Sequence, residues 1–175
     1  DRVENAKESQ EDAQEQFSSA LEAFSAAVAF DGGELEEVYD RLNGQYEDSV
    51  AASEEVSARI DKVESVAEAL FDEWSEELDK YENASLKRDS AAKLRETQRR
   101  YTSLMKAMRK AESKMPPVLN ALQDNVLYLK HNLNASAIGA LQGELSTIEN
   151  NVAQLIGQMN SAIAESDAFI ASMKN

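Results

Sequence analysis

LEEVYDRLNGQYEDSVAASEEVSARIDKVESVAEALFDEWSEELDKY, residues 35–81, carries two apolar rows that each repeat every seven residues. One row is Tyr39, Tyr46, Ser53, Ile60, Ala67, Trp74 and Tyr81; its companion is Leu35, Leu42, Ser49, Val56, Val63 and Leu70. A 3-4 apolar spacing held over this length belongs to a helix packed nearly parallel to its neighbours, as in a coiled coil. Steeply crossing helices in a globular core lose such a beat after two or three turns.

Working outward, the same beat returns in two later stretches. The next holds Leu94, Tyr101, Met108, Met115, Leu122 and Leu129, beside Ala91, Gln98, Met105, Glu112, Leu119, Val126 and Leu133. The last holds Ile138, Leu145, Val152, Met159, Ser166 and Met173, beside Leu141, Ile148, Leu155, Ala162 and Phe169. A weaker beat precedes them all, through Val3, Ala6, Gln10, Ala13, Phe17, Ala20, Phe24 and Ala27. The spacing predicts helices over residues 2–30, 34–81, 86–133 and 137–173 within a single domain, 1–175. The fold class is all-α: an elongated antiparallel bundle of four long helices with heptad packing.

The breaks between helices carry their own chemistry. Asp31-Gly32-Gly33 ends the first helix, because paired glycines supply a positive φ at no steric cost. Glu34, Glu36 and Glu37 suit the positive end of the second helix's dipole. Glu82-Asn83-Ala84-Ser85 makes the next turn, with Ser85 as the expected N-cap. Pro116-Pro117 interrupts the third helix, yet Met108, Met115 and Leu122 keep phase across it, so one kinked rod is expected. Asn134-Ala135-Ser136 then turns into the last helix.

Short loops make consecutive helices antiparallel neighbours, and the lengths then predict a shape. Four helices overlap for about 30 residues, or ~45 Å, within a rod of ~75 Å. The second and third continue alone as a two-helix tip of roughly 15 residues per helix. That tip includes Ala67, Leu70, Phe71, Trp74 and Leu78 on one helix and Leu86, Ala91 and Leu94 on the other. A hairpin cannot bury both apolar flanks of each helix, and open apolar patches mark contacts. Phe71, Trp74 and Leu78 are therefore candidate partner contacts, with Lys87, Arg88, Lys93 and Arg95 as a basic flank beside them. The competing expectations are that residues ahead of Asp1 continue the first helix down over the tip, or that two tips pair in a homodimer.

Charge is unevenly spread within a net of −15. Residues 1–84 hold 25 acidic and 6 basic groups, while residues 85–135 hold 4 and 11. So acidic a chain repels phosphate and excludes general nucleic-acid binding. The basic run from Lys87 to Lys114 lies beside Asp72, Glu73, Glu76, Glu77 and Asp79 in an antiparallel hairpin, so pairing between neighbouring helices is its simplest role. An anionic lipid surface is the alternative.

Chemistry is scarce. There is no Cys, so thiol catalysis and cysteine-ligated metals are excluded. A di-iron bundle needs Glu-x-x-His on two helices, and the one histidine, His131, has Tyr128 at that place. Nucleophilic catalysis has one His and no Cys to draw on, and no Gly-rich phosphate loop follows a strand. No cofactor or metal is expected. Glu112 with Gln10, Ser49 and Ser53 forms an expected buried polar layer that fixes register. Phe17, Phe24 and Phe30, level with Tyr39 and Tyr46, form an expected aromatic core.

Several stretches are also distinctive as sequence: Phe30-Asp31-Gly32-Gly33 with Leu35 to Asp48, Ala69-Leu70-Phe71-Asp72-Glu73-Trp74, YENASLKRD at residues 81–89, and LYLKHNLNASAIGALQGE at residues 127–144. On these the chain resembles, over nearly its whole length, an uncharacterised gammaproteobacterial family of unknown function, predicted helical envelope lipoproteins. The resemblance implies an export signal and a lipid-accepting Cys ahead of the helices, and a periplasmic or outer-membrane-attached location. The chain opens with Asp1 rather than Met, so a processed or a trimmed form is expected. No catalytic residue comes with the resemblance.

The reading is thus a non-enzymatic scaffold or interaction protein of the bacterial envelope. It acts through a protein partner or self-association at the tip, with membrane attachment through a removed N-terminal anchor. The alternatives are an anionic lipid-surface binding module and a ligand-sensing helical bundle.

Overall fold

The structure, a computed structural model, describes residues 2–29 and 34–174. All regular elements in this range are helices: α1 (Arg2–Val28), α2 (Leu35–Leu78), α3 (Ala84–Ser113), α4 (Met115–His131) and α5 (Ala135–Met173). The expected Asp31-Gly32-Gly33 turn and Phe30 lie outside the described residues.

α3 and α4 are two helices where the sequence predicts one kinked rod. The single residue between them, Lys114, keeps helical angles (φ −89°, ψ −8°). Pro116 and Pro117 therefore fall at the start of α4, where a missing N–H leaves no intrahelical bond broken. Met108, Met115 and Leu122 are all buried on the two sides of this joint, so the core row passes through it in phase.

The helices close into a ring. α1 packs on α2, α2 on α3 and α4, these on α5, and α5 back on α1. Among the described residues no Cα of α1 comes within 8 Å of one in α3 or α4, nor one of α2 within 8 Å of one in α5, which leaves these as the diagonals of a four-cornered bundle. Gln14 Nε2 reaches Asn160 of α5 at 2.7 Å, and Gln16 Nε2 reaches Gln45 Oε1 of α2 at 3.0 Å. Near the Val28 end, Gln142 Nε2 donates to the Val28 carbonyl at 2.8 Å. The two bridges to α5, at Gln14 and Val28, set α1 antiparallel to it.

Every apolar position in the weak beat of the first helix, from Val3 to Ala27, is buried. Phe17 and Phe24 are sealed completely, while Tyr39 and Tyr46 sit half-buried against the same core. Small alanines alternate with the two phenylalanines, which lets α1 approach α2 and α5 closely. Sealing each phenylalanine contributes about 2–3 kcal/mol. The rest of the core comes from the same heptad rows, among them Ile60, Leu104, Leu129, Leu141, Ile148, Leu155 and Met159.

The two turns at the described ends are capped by asparagine. Asn83, not Ser85, caps α3: its side chain accepts from the backbone N–H of Ser85 at 2.9 Å and of Leu86 at 3.1 Å. Both residue types cap well, and the helix simply starts two residues sooner. Asn134 does the same for α5, accepting from Ala137 N–H at 3.2 Å.

The polar layer does not assemble. Ser49 donates to its own helix at the Gln45 carbonyl (2.8 Å) and accepts from Gln16, while Ser53 is half-buried. Glu112 is half-buried and binds Arg109 of its own helix at 3.1 Å. Gln10 is left alone, fully buried with neither its amide N nor its amide O bonded. A helix that buries Ala6 and Ala13 one heptad apart has no way to expose the residue between them on the same face.

Candidate functional site

The body ends abruptly. Val63 is the last buried residue of α2 and Leu94 the first of α3; nothing between them is buried. Over residues 64–93 the two helices run on without α1, whose Lys7 is tied to Asp167 of α5 at 2.6 Å near the bundle's end. The α2 part, 64–78, is about 22 Å long.

Phe71, Trp74 and Leu78, the expected partner contacts, are half-buried, and Phe71 and Trp74 turn toward α3. The Phe71 ring meets the edge of Tyr101 at 5.4 Å between centroids. The Trp74 indole N–H donates to Ser90 Oγ at 2.8 Å. These residues hold the hairpin together, so they are its internal seam before they are anything else. The apolar side chains left in water are instead Val66 (41% exposed), Leu70 (46%) and Leu86 (56%), with Tyr81 in the turn. Val66 sits outside the two heptad rows read from the sequence; its signal is that Gln45 and Ala52 occupy the same row and face α1. A second exposed set, Leu127, Tyr128 and Leu133, lies at the opposite end of the rod.

Lys87, Arg88, Lys93 and Arg95 are all exposed. Their expected pairing with the acidic side of α2 is mostly not made. Lys87 reaches Asp79 at 4.0 Å, and Lys93 bonds Asp89 of its own helix at 3.0 Å. Among the described residues Arg88 and Arg95 have no ion-pair partner, and neither do Glu68, Asp72, Glu73, Glu76 or Glu77. The close link between α2 and α3 is farther up, where Arg109 bonds Asp61 at 3.0 Å and Glu64 at 3.4 Å. Partial burial opposes the Arg109 charge, but Glu112, Asp61 and Glu64 outweigh it and hold the guanidinium protonated beyond its ordinary range. The tip beyond it is thus a charge-separated hairpin: from Glu64 to Glu82 there are 8 acidic groups and 1 basic, and from Ala84 to Arg100 6 basic and 2 acidic.

Where the tip leaves the body, α5 ends over α3. A hollow of about 280 Å³ lies there between Trp74, Lys93, Thr97 and Arg100 and the last turn of α5 at Ser172 and Met173. A second, of about 290 Å³, continues along the seam past Arg99, Ser103, Glu165 and Phe169. Glu96 sits between them, and hydrogen bonds from Arg100 and Arg99 hold its carboxyl below the usual range. At the far side of the same seam Tyr101 is pushed above its ordinary value of 10.0, first by burial and then by Glu64 and Glu68. The hollows are open to solvent and hold no paired acid and base. Among the described residues no cluster of His, Asp or Glu has metal-binding geometry, and no helix is long and apolar enough to cross a membrane.

Comparison with known proteins adds one finding. The model of a family described as "Protein of unknown function (DUF2959)" matches residues 1–173, and the chain belongs to that family. No curated protein matches the chain.

Proposed function

We propose that this chain is a non-enzymatic interaction protein: a stiff helical spacer whose four-cornered body supports a two-helix tip that docks a partner. The carrying observation is the stretch from residue 64 to 93, in which no residue is buried and which keeps the body's apolar beat with no α1 over it and only the last turn of α5 beside Trp74 and Lys93. Val66, Leu70 and Leu86 stand on it in water, and soluble surfaces that keep such side chains together mark contacts. The charged groups around them are not consumed by internal pairing, which leaves both signs available to a partner. The bacterial cell envelope is the proposed setting; its support is the sequence likeness set out above, with attachment through a lipidated N-terminus.

Photo-crosslinking in cells from position 70 or 86 tests this, with exposed Gln154 on the body as the control position. A discrete adduct from the tip and none from position 154 is the expected result. Equal labelling at all three positions, or none at the tip, overturns it.

One observation favours a second reading, binding to an anionic lipid surface: Arg88 and Arg95 are exposed and unpaired. Co-sedimentation with phosphatidylglycerol vesicles that weakens steeply with salt supports it. No binding at low salt removes it.

A further inference from the structure

The open face of the tip is a continuation of the groove that α1 and α5 fill in the body. On α2, Gln45 and Ser49 receive Gln16 of α1. Three heptads farther along the same two rows stand Val66 and Leu70, beyond the level at which α1 covers α2. On α3, Lys93 and Arg100 face the end of α5, and one heptad earlier the row holds Leu86. Trp74 and Ser90, bonded to each other, make the floor between the two banks.

The banks carry opposite charge. Glu73 and Glu77 follow Val66 and Leu70 by one heptad, exposed and without ion pairs among the described residues. Lys93 faces them from α3, held only by Asp89 of its own helix.

Resting on the docking role proposed for the tip, we infer that this groove takes one amphipathic helix of another protein. It lays an apolar stripe over Val66, Leu70, Trp74 and Leu86, with basic side chains on the flank along α2 and acidic ones on the flank along α3. Helix-in-groove recognition uses anchors at i, i+3, i+4 and i+7. The ~22 Å of groove accepts about four turns. Opposite flanks also set which way the helix runs, as charged flanks do between coiled-coil strands.

A second copy of this chain does not fit the same description. A two-fold axis across the helices lays α2 on α2 and brings Glu73 and Glu77 of one copy against those of the other. A two-fold along the helices runs the second copy's hairpin end-on into α1 and α5.

The test uses the one tryptophan of the chain, Trp74, as a reporter in the groove floor. Two synthetic helical peptides of about 18 residues share a leucine stripe; one has Lys on one flank and Glu on the other, the second has Glu on both. The mixed peptide is expected to shift Trp74 emission to the blue and to bind at least ten-fold more tightly than the all-Glu peptide at low salt. The double variant E73K/E77K should reverse that preference, and Leu70→Glu should weaken both peptides at unchanged helical content. Equal affinity of the two peptides overturns the inference, as does binding indifferent to Leu70→Glu. An emission shift that follows protein concentration without peptide also overturns it, in favour of a second copy. A cellular photo-adduct from position 70 with no response to either peptide removes the helical partner and leaves the docking role standing; absence of both removes both.

Discussion

α2 and α3 each live in two environments. In the body, Val56, Ile60, Met108 and Leu104 are sealed by α1 and α5; in the tip, Ala67 and Leu70 continue the rows of Ile60 and Val56, yet Ala67 is only half-buried and Leu70 stays wet. The local sequence hardly changes between the two. What changes is the number of helices around the seam, and a pair of helices has only one shared face where a ring of four has two per helix. The tip compensates with directional contacts, an edge-on ring pair and an indole hydrogen bond, each of modest strength.

This contrast can be broken most forcibly at the core. Leu155→Ala, at a fully buried site, should lower stability by about 3–5 kcal/mol, while Leu70→Ala should stay within about 0.5 kcal/mol. Urea titrations of the two variants make the comparison. Similar losses at both sites would mean the tip is packed like the body.

The next effect has the opposite sign. Gln10 is buried with both amide atoms unbonded, so Gln10→Leu should raise stability by about 1–3 kcal/mol. A loss on the same titration would show that the amide has a partner.

Within the tip, Trp74→Phe keeps an aromatic ring but gives up part of its area together with the bond to Ser90, at a cost of about 1–2 kcal/mol. Its effect should appear as faster amide exchange in residues 64–93 with the body unchanged.

The smallest effect is one of pH. Tyr101 has a folded pKa above its unfolded value, so its contribution is present below pH 10 and is lost as pH rises through the folded value. Melting temperature should fall between pH 9 and pH 11 more in the parent than in Tyr101→Phe; equal falls would remove Tyr101 as the cause.

The heptad rows made the body legible, because a residue's row determines which face it occupies and four long helices leave few ways to arrange those faces. The same rows foretold a tip and identified Leu70 and Leu86 as part of it. They could not say which tip residues stay in water. Ser90 does not read as a core residue, so its bond to Trp74 gave no signal, and that bond turns the indole inward. Charge rows misled for a related reason. Opposite signs on adjacent helices suggest pairing, but only Lys87 and Arg109 make an ion pair across to α2 among the described residues, and Arg88 and Arg95 stay exposed without one. Glu112 was read as buried because it keeps the core beat; a long side chain on the edge of the stripe can turn out to Arg109 instead. Nothing in the spacing showed that Gln10 would be buried without a partner.

Native-state hydrogen exchange of the isolated chain tests the central division most directly. Amides of residues 56–63, 104–113 and 120–129 should exchange only through global unfolding, and those of residues 64–93 much faster through local opening, at every protein concentration. Uniform protection from body to tip would contradict the account, since it would mean that the hairpin is already covered and has no open face to offer.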